Sequence, residues 1–199
     1  MNKVAVIIGC DGSVGKKTSK RFSEIGYDVI GVNRTTDIST IQKCDVLVCT
    51  AGQTTREPLS TDTFRDMLEY NLVSVYDIIQ KLKHTLTDNS VIVIVSSVSA
   101  YKGGSNIGYA AAKAATESLC KNLAIDFAPR TRVMSVAPSY IVDSSFVKYD
   151  KHVIDNMTKL SPMKRLCTTD DVASAIEACV THLTFSTGST IFVDGGRLL

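Results

Sequence analysis

No stretch of the 199 residues is apolar for long enough to cross a bilayer as a helix. The longest unbroken runs, around Val4–Ile8 and Val91–Val95, are five residues each, against the ~20 that a spanning helix needs. An excess of one charge is also missing. Twenty-two Lys and Arg face 20 Asp and Glu, for a net +2, and the cations are scattered. That excludes the basic stripe of a nucleic-acid binder. The six cysteines, at 10, 44, 49, 120, 167 and 179, include no C-x-x-C pair, and no His stands at a zinc-ligand spacing from them. No metal site is expected. Met1-Asn2-Lys3 runs straight into a strand-like segment, without the longer apolar region and cleavage site of a secretory signal. The expected compartment is therefore the cytoplasm, with the cysteines as reduced thiols, several of them filling core space. Asn156-Met157-Thr158 is then a chance sequon. Repeats and low-complexity tracts are absent as well.

What remains is an ordinary globular composition, 44% apolar and 21% charged, in a length that suits one domain over residues 1–199. Strand-like and helix-like segments alternate. Val4–Ile8 leads through a glycine-bearing turn into a helix from Lys16 to Ile25, stopped by Gly26. Strands follow at Val29–Val32 and Asp45–Thr50, then a long helix from Thr63 to Leu86. A strand at Val91–Val95, a helix at Tyr109–Asp126, a strand at Val133–Val136, a helix at Asp170–Leu183 and a strand at Thr190–Val193 complete the series. Near-continuous apolar strands belong to parallel sheets covered on both faces. The expected fold is a doubly wound, Rossmann-like α/β domain.

In such sheets ligands bind where strand C-termini meet helix N-termini. The first of these turns is Gly9-Cys10-Asp11-Gly12-Ser13-Val14-Gly15. It reads either as a cradle for a pyrophosphate, held by backbone N–H groups and the helix dipole, or as an ordinary βα turn. The second strand ends Val32-Asn33-Arg34, neutral and then basic, where an NAD-preferring fold places a carboxylate. A guanidinium there can bind a 2′-phosphate, which favours NADP; otherwise Arg34 is a solvated loop residue. Tyr109 and Lys113 share a helix face at i, i+4, and a nearby ammonium favours the phenolate that an acid–base tyrosine needs. Ser96 and Ser97 end the preceding strand, where a hydroxyl can donate to a carbonyl oxygen gaining charge or simply cap the strand. Asn71, a poor helix former in mid-helix, is either a satisfied core amide or the holder of a relay water.

These residues, in this order, resemble the short-chain dehydrogenase/reductase family over nearly the whole chain. The marks are Gly9–Gly15, Thr50-Ala51-Gly52, Asn71-Leu72, Val95-Ser96-Ser97-Val98, Tyr109-x-x-x-Lys113, Val136-Ala137-Pro138 and Val193-Asp194-Gly195-Gly196. The resemblance implies an NAD(P)-dependent oxidoreductase acting on a small carbonyl or alcohol. Tyr109 would be the acid–base, Lys113 its pKa-lowering partner and ribose ligand, Ser97 the carbonyl-orienting hydroxyl and Asn71 the water-positioning residue. Gly9, Gly12, Ser13, Val14 and Gly15 would cradle the cofactor phosphates, and Asn33 and Arg34 would meet the adenosine ribose. Asp37 and Ile38 would meet the adenine, Ala51 and Gly52 the adenosine side of the cleft, and Pro138 and Ile141 the nicotinamide. A homodimer or homotetramer is implied too. The alternatives are a non-catalytic dinucleotide-binding regulator that kept the fold, or a dehydratase or epimerase without net redox change.

The chain departs from the family's turn at Ile8 and Ser13, and it follows Pro138 with Ser139. Only about ten residues separate Arg34 from Asp45, so an element on the adenine side is expected to be shortened or absent. The segment from Ser139 to Leu160, with Tyr140, Phe146 and Tyr149, is expected to fold over the site as a lid.

Overall fold

Runs of Val, Ile and Leu with no hydrophilic face can be buried only between two layers. The computed structural model, which describes residues 2–55, 60–103, 106–144 and 150–199, buries them in that way. Six strands form one sheet: β1 (Val4–Ile8), β2 (Asp28–Val32), β3 (Cys44–Cys49), β4 (Leu86–Val95), β5 (Thr131–Pro138) and β6 (Thr190–Val193). All pairings are parallel, in the order β2-β1-β3-β4-β5-β6. Successive side chains point to opposite faces, so each strand feeds two cores. Val6, Leu47, Ile92 and Ile94 join Ile79, Leu82 and Leu123 on one face. Ala5, Ile7, Val48, Val93 and Met134 join Phe22 and Ile176 on the other. Each fully buried aliphatic or aromatic side chain contributes roughly 1.5–3 kcal/mol.

The helices divide between these faces. α1 (Ser13–Glu24) and α6 (Thr169–Thr181) supply Phe22 and Ile176 to one. α3 (Ser74–Leu82) and α4 (Ile107–Phe127) supply Ile79 and Leu123 to the other. α2 (Thr61–Leu68) starts at a capping box between Ser60 and Thr63 and continues into α3 through a widened, π-type turn at Glu69–Val73. The chain leaves β1 for β2 on one side and returns to β3 on the other. That reversal opens a crevice at the C-terminal ends of β1 and β3.

The doubly wound expectation holds, and the shortening falls on the adenine side. β2 is the edge strand, where the six-stranded dinucleotide order carries another strand outside it. Only the 3₁₀ turn Ile38–Thr40 stands between β2 and β3. One expectation needs correction. The helix read as Thr63–Leu86 gives way at Leu86 to β4, which starts five residues before Val91. Leu86 pairs with Cys44, after which the register shifts and Asn89 adopts φ 63°, so the polar residues 87–90 interrupt the apolar pattern of a single strand. The expected lid segment contains a helix, α5 (Lys151–Leu160), whose half-buried Val153, Ile154 and Met157 share one face. Phe146 and Tyr149 lie outside the described residues.

One polar group sits deep in this packing. Glu117 of α4 is buried and accepts hydrogen bonds from Ser135 Oγ of β5, at 2.9 Å, and from Thr190 Oγ1 of β6. Glu117→Ala would strand both hydroxyls and leave a void. The expected loss is about 2–4 kcal/mol, read as a lower midpoint in urea unfolding, with Glu117→Gln losing markedly less. An unchanged midpoint for the alanine variant would mean that the carboxylate does not hold α4 to the sheet.

Candidate active site

The crevice begins at the glycine turn. Gly9 takes a left-handed φ of +81°, and its N–H donates to Val32 O at 2.8 Å, tying the turn to β2. Gly12 caps α1 without a side chain, and no acidic residue stands in the helix's first turn. The N-terminal end of α1 is therefore open to an anion. Gly12, Ser13, Val14 and Gly15 line a cleft of about 260 Å³, and Gly9 shapes the turn beneath them.

The end of β2 is used differently from the expectation. Asn33 Oδ1 accepts from Thr35 N, Thr35 Oγ1 and Thr36 Oγ1 at 2.9–3.0 Å, and its Nδ2 donates to Asp11 Oδ2 at 2.9 Å. It closes its own turn and straps it to the glycine turn. Arg34 is exposed and pairs with no carboxylate among the described residues. Asp37 spends its carboxylate on Ser39, whose Oγ and N–H donate at 2.7 and 3.0 Å and hold the acid below the ordinary carboxylate range. Ile38 packs against the core beside Ile41. Neither Asp37 nor Ile38 lines the cleft, and Asn33, Arg34 and Ala51 also stand outside its lining.

The other wall is built from β4 and α4. Ser97 leaves β4 in extended conformation and its Oγ accepts from Ser99 N at 3.1 Å, starting a short 3₁₀ turn. Ser96 points inward and donates to Lys113 O at 3.4 Å. Asn106 caps α4 by accepting from Tyr109 N at 3.0 Å, which places Tyr109 in the first turn at the cleft wall. Lys113, one turn later, is 3% exposed. Its Nζ lies 5.7 Å from the Tyr109 ring centroid and donates to Val95 O at 2.8 Å. Burial pushes this ammonium down to about 8, and Cys49 and Glu117 offset that only in part. Ser97, Tyr109 and Lys113 line the cleft together with Gly52, Pro138 and Ile141.

Asn71 stands one layer behind. It is fully buried within the widened turn. Its amide donates to Gln53 O at 2.8 Å and Met67 O at 2.9 Å and accepts from Gln53 N at 3.0 Å, so the side chain is spent on holding the loop after β3. Gly52 makes this possible. A Cβ there would stand 2.8 Å from Asn71 Oδ1 and 3.2 Å from Lys113 Nζ.

The family description "Enoyl-(Acyl carrier protein) reductase" matches residues 32–197. The chain belongs to the short-chain dehydrogenase/reductase family. It is 31% identical to an uncharacterised oxidoreductase of Schizosaccharomyces pombe, over 98% of this chain and 91% of that protein. It is 32% identical to a tropinone reductase homologue of Arabidopsis thaliana over 77% of this chain, a match that spans 63% of that relative. Its fold overlays a Brucella melitensis short-chain dehydrogenase/reductase, titled a glucose/ribitol dehydrogenase, with a TM-score of 0.90 and 25% identity. That overlay covers 100% of this chain and 97% of the other. The alignment with the fission-yeast relative runs to 234 positions against a chain of 199, so this member of the family is a shortened one.

The family's cofactors are nicotinamide dinucleotides, and the cleft fits one. An ammonium has three donors, and Lys113 gives only one to the protein, although it is buried. Two remain for hydroxyls entering the cleft, while the uncapped helix start suits a pyrophosphate. The lining also holds residues that no motif in the sequence marks, among them Gln53, Lys102 and Arg197. Gln53 directly follows Thr50-Ala51-Gly52 and could have been taken with it, whereas nothing in the sequence marks Lys102.

Proposed function

We propose that residues 1–199 act as one dinucleotide-binding and catalytic unit that transfers hydride between NADPH and a carbonyl or alcohol substrate. Tyr109 is the acid–base. The observation that carries this reading is Lys113, a buried ammonium with spare donors beside the Tyr109 ring at the cleft wall. When bound, the nicotinamide supplies or accepts the hydride. Gly9, Gly12, Ser13, Val14 and Gly15 hold the phosphates, Lys113 the ribose hydroxyls, and Pro138 and Ile141 border the nicotinamide. Ser97 Oγ already accepts from Ser99 N, so its own O–H is left to donate to a carbonyl oxygen. Ser96 donates to Lys113 O instead, which favours Ser97 as the orienting hydroxyl. Tyr109 gives its phenolic proton to that oxygen in reduction and takes it back in oxidation, with the Lys113 charge stabilising the phenolate. Asn71 acts by position, fixing the Gln53 loop beneath Gly52 and Lys113.

The adenosine end offers two readings. Arg34, exposed and without a carboxylate partner, supports NADP through the 2′-phosphate. Asp11, whose Oδ2 stands on Asn33 Nδ2, supports NAD, since its charge repels that phosphate. We propose NADP. Equilibrium titration followed by nicotinamide fluorescence is expected to give at least about tenfold tighter binding of NADPH than NADH, as one or two charge-assisted hydrogen bonds allow. Arg34→Met should erase that difference and Asp11→Asn widen it. Equal affinities in the unaltered protein would remove the NADP assignment. A panel of carbonyl compounds followed at the reduced-nicotinamide absorbance tests the reaction itself, and a net change of that band separates it from dehydration or epimerisation. The exposed Tyr70, Val73 and Tyr76 on the α2–α3 ridge and Ile107 and Ile125 on α4 support a homodimer or homotetramer, which we place in the cytoplasm.

A further inference from the structure

The cleft lining carries more than one kind of chemistry. At the β1 end stand the backbone amides of the α1 start. The cleft is also lined by Lys102, Tyr140, Ser144 and Arg197. β6 is four strands from β1, about 19 Å at ~4.8 Å per strand, so groups attached beyond β6 lie well away from the glycine turn. Lys102 is exposed and follows a residue that is anchored to β6. The Tyr101 ring packs edge-on against Phe192 of β6, with centroids 4.9 Å apart, and its hydroxyl donates to Thr190 Oγ1 at 3.3 Å. Arg197 follows β6 in a turn held by Asp194, whose carboxylate accepts from Gly196 N at 2.9 Å and Leu198 N at 3.0 Å. Its guanidinium lies over the Tyr140 ring, 5.3 Å from the centroid.

No acid among the described residues pairs with either of these two cations. Among the described residues Arg21, Arg65, Arg130 and Arg165 pair with carboxylates, and Arg132 donates to four backbone carbonyls. Arg197 and Lys102 pair with no acid, and no Asp or Glu is present in the described lining of the cleft. Two positive charges lining a cleft whose described walls hold no Asp or Glu focus an anion into it, and a guanidinium pre-oriented on an aromatic ring suits a carboxylate or phosphate.

We propose that this part of the cleft binds the oxyanion of the substrate, so that the substrate is a carbonyl compound, or its alcohol, bearing a carboxylate or phosphate. The proposal rests on the redox reading above. In reduction the hydride of NADPH goes to the carbonyl carbon and the Tyr109 proton to its oxygen, leaving NADP⁺ and the alcohol, while Arg197 and Lys102 hold the oxyanion.

Matched substrates test it. kcat/KM is compared for 3-oxobutanoate against its methyl ester, and for glyceraldehyde 3-phosphate against glyceraldehyde. At least one anionic member is expected to exceed its neutral partner by about tenfold or more, as charge-assisted hydrogen bonds imply, and the favoured pair tells carboxylate from phosphate. In Lys102→Met/Arg197→Met the ratio should fall towards one, with Arg197→Lys alone keeping most of it. Neutral members favoured or equal in both pairs, or a ratio unchanged in the double variant, would overturn the proposal. Calorimetry with malonate, which cannot be reduced, keeps the two readings apart. Malonate that binds and weakens at least tenfold in the double variant, with no carbonyl reduced, upholds the anion site and removes the redox reading. Neutral carbonyls reduced with no malonate binding removes the anion site and leaves the redox reading standing.

Discussion

Tyr109→Phe is expected to lower kcat/KM for carbonyl reduction by about 10²–10⁴, the range for loss of a positioned general acid, while the Kd for NADPH moves by less than about threefold. The substitution keeps the ring at the cleft wall beside Lys113 and removes only the O–H, so the cofactor end has no reason to shift. The partner supplies a second signature. Burial holds Lys113 at about 8 instead of 10.5, so the ammonium that supports the phenolate is present below that pH and lost as pH rises through it. Reduction should therefore level off below about pH 8 and fall above it. The same shift has a stability side. A lysine whose folded pKa lies below its unfolded value binds fewer protons when folded, so it destabilises the fold below about pH 8. That penalty fades as pH climbs from about 8 to 10.5. At neutral pH holding the charge costs on the order of 3 kcal/mol. Lys113→Met should consequently abolish turnover yet raise the melting temperature by a few degrees, part of the gain being offset by the lost bond to Val95 O. Turnover retained in Tyr109→Phe would remove the tyrosine from the chemistry. A lower melting temperature in Lys113→Met would mean that the lysine is structural.

The parts of the fold legible in the sequence were those whose burial is uniform. β1 and the later half of β4 are unbroken apolar runs because helices cover both of their faces. β4's first half was not legible, since Thr87, Asp88 and Asn89 are polar and the register shifts among them. α5 escaped because its apolar face, Val153, Ile154 and Met157, is short and only half-buried. At the site, Tyr109 and Lys113 could be read because helix periodicity alone makes i and i+4 neighbours. Asn71 could be singled out, but its pairing with Gln53 could not, because these reciprocal bonds join residues eighteen positions apart. Lys102 and Arg197 could not either, because they line one cleft from positions 95 residues apart in sequence, with Tyr101 packed on β6 beside the first. Asp37 and Ile38 sit in the shortened segment, where Asp37 caps a 3₁₀ turn and the partly buried Ile38 packs against the core.

Gly15→Ala tests the joint between α1 and the glycine turn, and the sign of its effect decides the matter. Gly15 lies inside α1, where alanine is favoured over glycine by about 1 kcal/mol. From helix propensity alone the variant should be more stable. Contact argues the reverse. A Cβ at this position would stand 2.2 Å from Gly9 O, 2.8 Å from Gly9 C and 2.9 Å from Cys10 Cα. All three are backbone atoms, so no rotamer change relieves the overlap. α1 cannot easily retreat either, because Phe22 is wholly buried in the core and Arg21 bonds Glu177 and Asp170 at the α6 side. Overpacking of this kind costs typically 1–3 kcal/mol and more where nothing can yield, so a net loss of about 3 kcal/mol is expected, seen as a lower denaturation midpoint. Any retreat also drags the first-turn amides from the cleft they line, so NADPH should bind at least about tenfold more weakly. Gly26→Ala is the control. Its φ of +89° is strained for alanine, but a Cβ there meets nothing within 4 Å, so it should lose about 1 kcal/mol with cofactor affinity unchanged. A Gly15→Ala protein as stable as the parent, with NADPH affinity intact, would mean that the close approach of α1 to the turn is not what shapes the phosphate end of the cleft.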